Sequence, residues 1–508
     1  MIKTRWWWYV LPFALLHLPF AFSPMCVWDS AVQQQLYSTA NFSDAKNLFF
    51  DSGVPISYFE MIGFASLPYP VFMLKMFSIV VMCSSSLVMA AVLEEITLLS
   101  SLEIYFISVG AFFFPSYSMW SHIIMSPYYF SLLMYLIAIL LYLKKKSIFI
   151  ITPILVISFN IQSFLPITYA LLLINYVYRH QHALREKIIS YVLKNAILLL
   201  IPIAYYLSIR YFFPLAGFYK VDGYNTFNIS ISSLFRNFSI SIVNTTLTPF
   251  YLLGKYALSD FISLFPIALI SAAIAYIMFK TRLLATVPAI IQTKRHLGFS
   301  ILLLLAATFP YALVNKHVTT FGYETRHSLL MIIPTLLIIV VMARYFGKYQ
   351  ALFFLLFSFL SITIYLKNQL LWENRYIKYQ AIIYQLQKQP LLDNANNFFF
   401  TEKNKHFEMP EYLRFYECNI LLKEAYRNES NLGINEESAP HNDSLINAYS
   451  QKYITRKKSL CFADYTKTSL QQEIEISDHF AEDIDVFFAY YFGSREALLE
   501  KLITLKVK

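Results

Sequence analysis

Residues 328–367 read SLLMIIPTLLIIVVMARYFGKYQALFFLLFSFLSITIYLK. Two apolar runs flank a short connector that carries Arg344 and Lys348. A run of about 20 apolar residues crosses a bilayer core as a helix, and cytoplasmic connectors collect Lys and Arg. The same alternation extends back through the first 366 residues and predicts an all-α polytopic membrane protein. Composition agrees: a chain that is 57% hydrophobic and only 14% charged could not cover a soluble surface.

The formal charge of +10 would suit nucleic acid, but its distribution does not. Residues 1–366 hold 23 Lys and Arg against 11 acids, whereas residues 367–508 hold 18 against 20. The excess sits in short loops beside apolar helices, with no basic polar domain, so no nucleic-acid partner is expected. The N-terminal WWWYVLPFALLHLPFAF lacks a clean small-x-small site and reads as a retained first helix, with Trp6, Trp7 and Trp8 as an interfacial belt.

Eleven spans are expected. They fall at about 7–22, 71–92, 96–115, 124–143, 189–212, 260–279, 297–314, 328–343 and 350–366, plus two half-helices within 147–178. That last stretch has basic groups at both ends (Lys144 to Lys146, then Arg179, Arg185 and Lys187), so a hairpin turning near Asn160, Gln162 and Ser163 keeps both on one side. Every strong basic cluster then lies inside, the N-terminus is cytoplasmic, and loops 23–70, 213–258 and 315–327 are outside. The domains are 1–366, a membrane module, and 367–508, a polar extracytoplasmic tail long enough for a small α or α/β domain. A bacterial inner membrane with the tail periplasmic or extracellular is the expected setting. Within the tail, Cys418 and Cys461 are a disulfide candidate, and no cysteine pair has zinc-ligand spacing.

Few acids precede Lys367, and four of them (Asp29, Asp44, Asp51 and Glu60) share the first outer loop. Asp29, just past helix one, suits a general base or a metal ligand, and equally an N-cap for a helix starting at Ser30. Asp51 precedes Ser-Gly-Val-Pro and suits either chemistry or a turn. Glu103 lies among apolar residues, functional or snorkelling. His122 begins helix four on the same side as Asp29. Lys316, Tyr323, Arg326 and His327 form a third outer group; a guanidinium fork grips phosphate bidentately, while the plainer role is a headgroup anchor or a pair with Glu324. The loop 213–258, with ISSLFRNFSISIV, reads as amphipathic, parts of it along the membrane surface.

The layout resembles the GT-C superfamily of integral membrane glycosyltransferases, which use polyprenyl-phosphate-sugar donors. Three segments carry the resemblance: WDSAVQQQLYS after helix one, GVPISYFEMIGFASLP leading into helix two, and ETRHSLLMIIPTLL. It implies Asp29 as the key carboxylate, Arg326 facing phosphate, and a glycan or lipid-linked acceptor attacked with inversion. Many members carry a second acidic motif in the next outer loop, where this chain reads PSYSMWSHIIMSP, so a divalent metal stays an open expectation. A transporter or flippase for a lipid-linked or small polar solute, and a non-catalytic assembly factor, are the alternatives. No internal repeat favours the transporter.

Overall fold

The computed structural model describes residues 7–27, 29–39, 42–96, 99–179, 188–215, 230–248, 250–252, 265–280, 293–319, 322–389, 397–403, 413, 415–426, 432–435, 471–479 and 483–507. It is mostly helical. After α1 (Trp7–Ala21) the first outer segment is not an open loop but three short helices, α2 (Asp29–Thr39), α3 (Phe42–Asp51) and α4 (Pro55–Ala65). They close over a small core of their own that includes Leu36, Phe49 and Met61 and packs on Leu74 and Ile123.

Then come α5 (Pro70–Ile96), α6 (Ser101–Gly110), α7 (Ser126–Leu143), α8 (Ile148–Ser158), α9 (Phe164–Arg179), α10 (Ile188–Lys194), α11 (Ala196–Phe212) and α12 (Ile231–Thr246). The helical part ends with α13 (Phe265–Phe279), α14 (Thr293–Leu313), α15 (Leu329–Ala343) and α16 (Gln350–Gln387). Among the described residues, four stretches are long and apolar enough to cross a membrane: Pro70–Ile96, Ile123–Leu143, Lys294–Leu313 and Glu324–Gln387. The pair α10 and α11, bent by 56°, would be a fifth. The count of eleven single spans is therefore not supported. Several expected spans are apolar helices of 10–17 residues, because caps and turns end them early. Within the expected span 96–115, for example, an α-helix starts at Ser101 behind a Ser100–Glu103 capping box and gives way after Gly110 to a 3-10 turn over Ala111–Phe113.

The stretch expected as a hairpin forms two helices, α8 and α9, joined by a turn. Tyr142, ending α7, accepts from Asn175 Nδ2 late in α9 (3.0 Å) and donates to Asn195 Oδ1 beside α11 (2.8 Å). The turn between α8 and α9 lies at the other end: Asn160 accepts from Ile56 N–H (3.2 Å) and donates to Ser57 Oγ (2.9 Å), and Gln162 donates to Gly53 O (3.3 Å). Backbone that leaves its helix among apolar neighbours needs such partners. Arg295 Nη2 donates to Val177 O (3.2 Å), and Arg344 meets Glu103 and His296, so these groups collect at the end where α7 finishes.

The boundary at 366/367 falls inside α16, whose 38 residues extend about 57 Å at 1.5 Å each. Its second half is the centre of the C-terminal unit. There β1 (Asn397–Lys403), α17 (Phe415–Tyr426), β2 (Leu432–Asn435), β3 (Gln471–Asp478), α18 (Asp483–Phe492), α19 (Arg495–Leu502) and β4 (Ile503–Val507) form a sheet of order β2-β1-β3-β4 with its helices. The first three strands are parallel and β4 is antiparallel to β3, so the chain is not all-α. Lys378 of α16 bridges Glu402 (2.6 Å) and Asp478 (2.8 Å), and Arg375 reaches the buried Glu417 (2.8 Å). Cys418 is a buried free thiol whose Cβ would lie 2.9 Å from a methyl at Gly433; its candidate partner Cys461 lies outside the described residues.

Candidate functional site

The end of the bundle opposite the basic groups is where the three expected outer segments meet. The turn before α7 is locked to the one before α15. Ser118 N–H donates to Thr325 Oγ1 (3.2 Å), Ser328 Oγ donates to Ser116 O (3.1 Å), and Trp372 Nε1 of α16 donates to Ser118 O (2.9 Å). The first segment joins through Glu60 of α4, whose carboxylate accepts from Ser126 Oγ at the start of α7.

Around this knot sit most of the candidate residues. Arg326 Nη2 lies 3.5 Å from Glu324 Oε1, and His327 Nδ1 lies 3.0 Å from Glu324 Oε2 and 3.3 Å from His317 O. His327 is buried against Tyr311, with Arg326, Lys316 and His317 all within electrostatic reach. Lys316 is placed by a Schellman turn at the end of α14: its N–H donates to Tyr311 O (2.9 Å) and Asn315 takes φ 56°. The side chain of Tyr323 lies outside the described residues.

Asp29 opens α2 and is half-buried, placing a carboxylate in the first turn, where the helix dipole favours it. Tyr128, one turn into α7, feels the charges of Arg326, Glu324 and Asp29 together. The acid of the first segment and the cation of the third therefore both lie within electrostatic range of one phenol.

Asp51 is elsewhere. It ends α3, followed by a Schellman turn in which Gly53 (φ 74°) donates to Phe50 O (3.1 Å) and Val54 to Phe49 O (2.9 Å). Its position matches the turn reading.

His122 is also apart from the Arg326 group. It is 2% exposed, stacked edge-on to Trp372 at 4.3 Å, and burial, with Lys75 and Arg375 adding, pushes its ring down to about 3. A neutral imidazole there cannot hold phosphate by charge. It lines a cavity of about 20 Å³ with His17, Lys75 and Trp120, the size of a water molecule.

Sequence reasoning gave Lys75 no role. Buried one turn inside α5, it donates to Ser23 O (2.7 Å) and Met25 O (3.0 Å), capping the chain that leaves α1. Glu373 and Tyr491, bonded at 2.8 Å, tie the C-terminal unit to the same spot through Ser23. The available signal was a lone Lys in an otherwise apolar helix.

No family model, no curated protein and no solved structure matches this chain. Among the described residues no group of three His, Cys, Asp or Glu could hold a metal ion. The remaining large feature is an apolar cavity of about 100 Å³ between α5, α7, α9, α14 and α15, walled by residues such as Leu132, Phe164, Leu303 and Ile333.

Proposed function

We propose that the chain is a membrane glycosyltransferase that moves a sugar from a polyprenyl-phosphate donor to a glycan or lipid-linked acceptor, with inversion. The observation that carries this reading is that Asp29 and the Arg326–Glu324 pair both lie within electrostatic range of Tyr128, at the end of the bundle away from the basic groups. The positive-inside rule makes that end extracytoplasmic.

In this reading Asp29 accepts the proton of an acceptor hydroxyl as its oxygen bonds to the anomeric carbon. The bond from that carbon to the phosphate oxygen breaks, and the phosphate leaves with the electron pair. Arg326 and Lys316 stabilise the charge it gains. No step is assigned to His122.

The test is transfer of labelled sugar from a polyprenyl-phosphate donor, in membranes carrying wild type or Asp29→Asn at matched expression. Transfer by wild type, and a loss of at least about 100-fold in the variant, is expected for a general base. Equal transfer by both removes Asp29 from the mechanism, and none by wild type with several donors removes the transferase reading.

A further inference from the structure

The helix α12 is turned inside out relative to a helix on a soluble surface. Asn237, Ser241 and Thr245, one stripe at i, i+4, i+8 spacing, are buried. Their partners are specific: Asn237 Nδ2 donates to Asn315 Oδ1 (2.7 Å), and Ser241 Oγ accepts from Val318 N–H (3.1 Å). Beside them Asn244 Nδ2 donates to Val318 O (2.7 Å). The opposite face is exposed and mainly apolar, with Ile231 72%, Phe235 68%, Val243 46% and Leu247 60% exposed, and with Ser232, Arg236 and Ser239 exposed among them. Water on that face would leave four large side chains hydrated for no gain. α12 packs against α14, which can cross a membrane and on which Ile301, Leu305 and Phe309 are likewise exposed.

We propose that α12 lies in the bilayer, its Ile231–Phe235–Val243–Leu247 stripe against lipid acyl chains and its polar stripe holding segment 315–318. Packing against α14, a helix long and apolar enough to cross a membrane with apolar side chains exposed, selects lipid over a soluble partner or a second copy of the chain. Arg236, exposed near the start of the helix, reaches the headgroups by extending its stem along the apolar surface. By gripping Asn315 and Val318, α12 sets the depth of Lys316 and its neighbours at the boundary between acyl chains and headgroups, whatever chemistry they perform.

The test needs no substitution. The full chain is reconstituted into vesicles containing phosphatidylcholine with a diazirine on its acyl chain, illuminated, and its adducts mapped by mass spectrometry. Adducts at Phe235, Val243 or Leu247, in a yield comparable with those on 297–309, are expected. Adducts on 297–309 with none on 231–251 overturn the proposal and place the stripe against water or protein. A nitroxide on Val243→Cys, with labelled wild type as background, gives a second reading. Collision with oxygen at least about threefold above that with a water-soluble nickel chelate supports the proposal, and the reverse overturns it.

Discussion

Arg344 grips Glu103 with two hydrogen bonds, Nε to Oε1 at 2.7 Å and Nη2 to Oε2 at 3.0 Å, though the two lie 241 residues apart in sequence. Gln350 adds a third bond to Oε1 (2.9 Å), and Glu103 also closes the capping box on Ser100 N–H (2.8 Å). The pair joins the start of α6 to the turn between α15 and α16. Glu103 is accordingly a structural acid.

Removing one partner of a buried pair leaves the other charge uncompensated, at about 3–5 kcal/mol. Arg344→Met should therefore lower the thermal midpoint of the purified protein sharply. Arg344→Lys should do so too, since an ammonium cannot reproduce the fork. A midpoint for Arg344→Met equal to that of wild type would show that the pair adds nothing to stability.

Glu60 gives a pH signature. Burial, opposed by the hydrogen bond from Ser126, pushes its carboxyl up from 4.5 to about 7. A raised folded-state value means that its share of stability is fully present below about pH 4.5 and declines as pH rises through about 7. Midpoints measured from pH 4 to pH 8 should fall more steeply for wild type than for Glu60→Gln, which keeps the shape and cannot ionise. Parallel curves would place the carboxyl in water.

The sequence carried the coarse organisation well. The gathering of basic groups at one end follows from a local rule about connectors, and the hairpin turn at Asn160 follows from polar residues interrupting an apolar run. Asp29 and Arg326 were legible as candidates because charges are scarce before Lys367. What was not legible depends on distant partners. Lys75 looks like an intrusion until the carbonyls of Ser23 and Met25 are seen, and α12 looks surface-bound until its Asn residues find 315–318. The length of α16 was hidden because its second half is polar yet buried: Lys378 and Arg375 are neutralised by acids of the sheet and α17. Hydropathy ends a helix where such pairing begins.

That pairing is open to test. Lys378→Met would leave Glu402 and Asp478 facing each other in a buried space, at a cost of about 3–5 kcal/mol. The loss should be local, so amides of 397–403 and 471–478 should exchange at least about tenfold faster while those of α5 and α7 keep their protection. Uniform acceleration along the chain would show that the C-terminal unit and the membrane helices open together.

Arg326 separates two roles for its neighbour. Glu324 holds the guanidinium at 3.5 Å and is itself partly exposed, so a donor phosphate would compete with it. If Arg326 grips phosphate, Arg326→Gln should weaken donor binding by about 10- to 100-fold, the loss of a charge-assisted hydrogen bond worth about 1.5–3 kcal/mol. Glu324→Gln should move the other way and tighten it, because the competing carboxylate is gone. A merely structural Arg326–Glu324 pair predicts the same direction for both, since either change breaks it. The donor KM in each variant, with the thermal midpoint as a control for folding, distinguishes the two: opposite signs support phosphate binding, and a shared rise in KM assigns the pair to the scaffold.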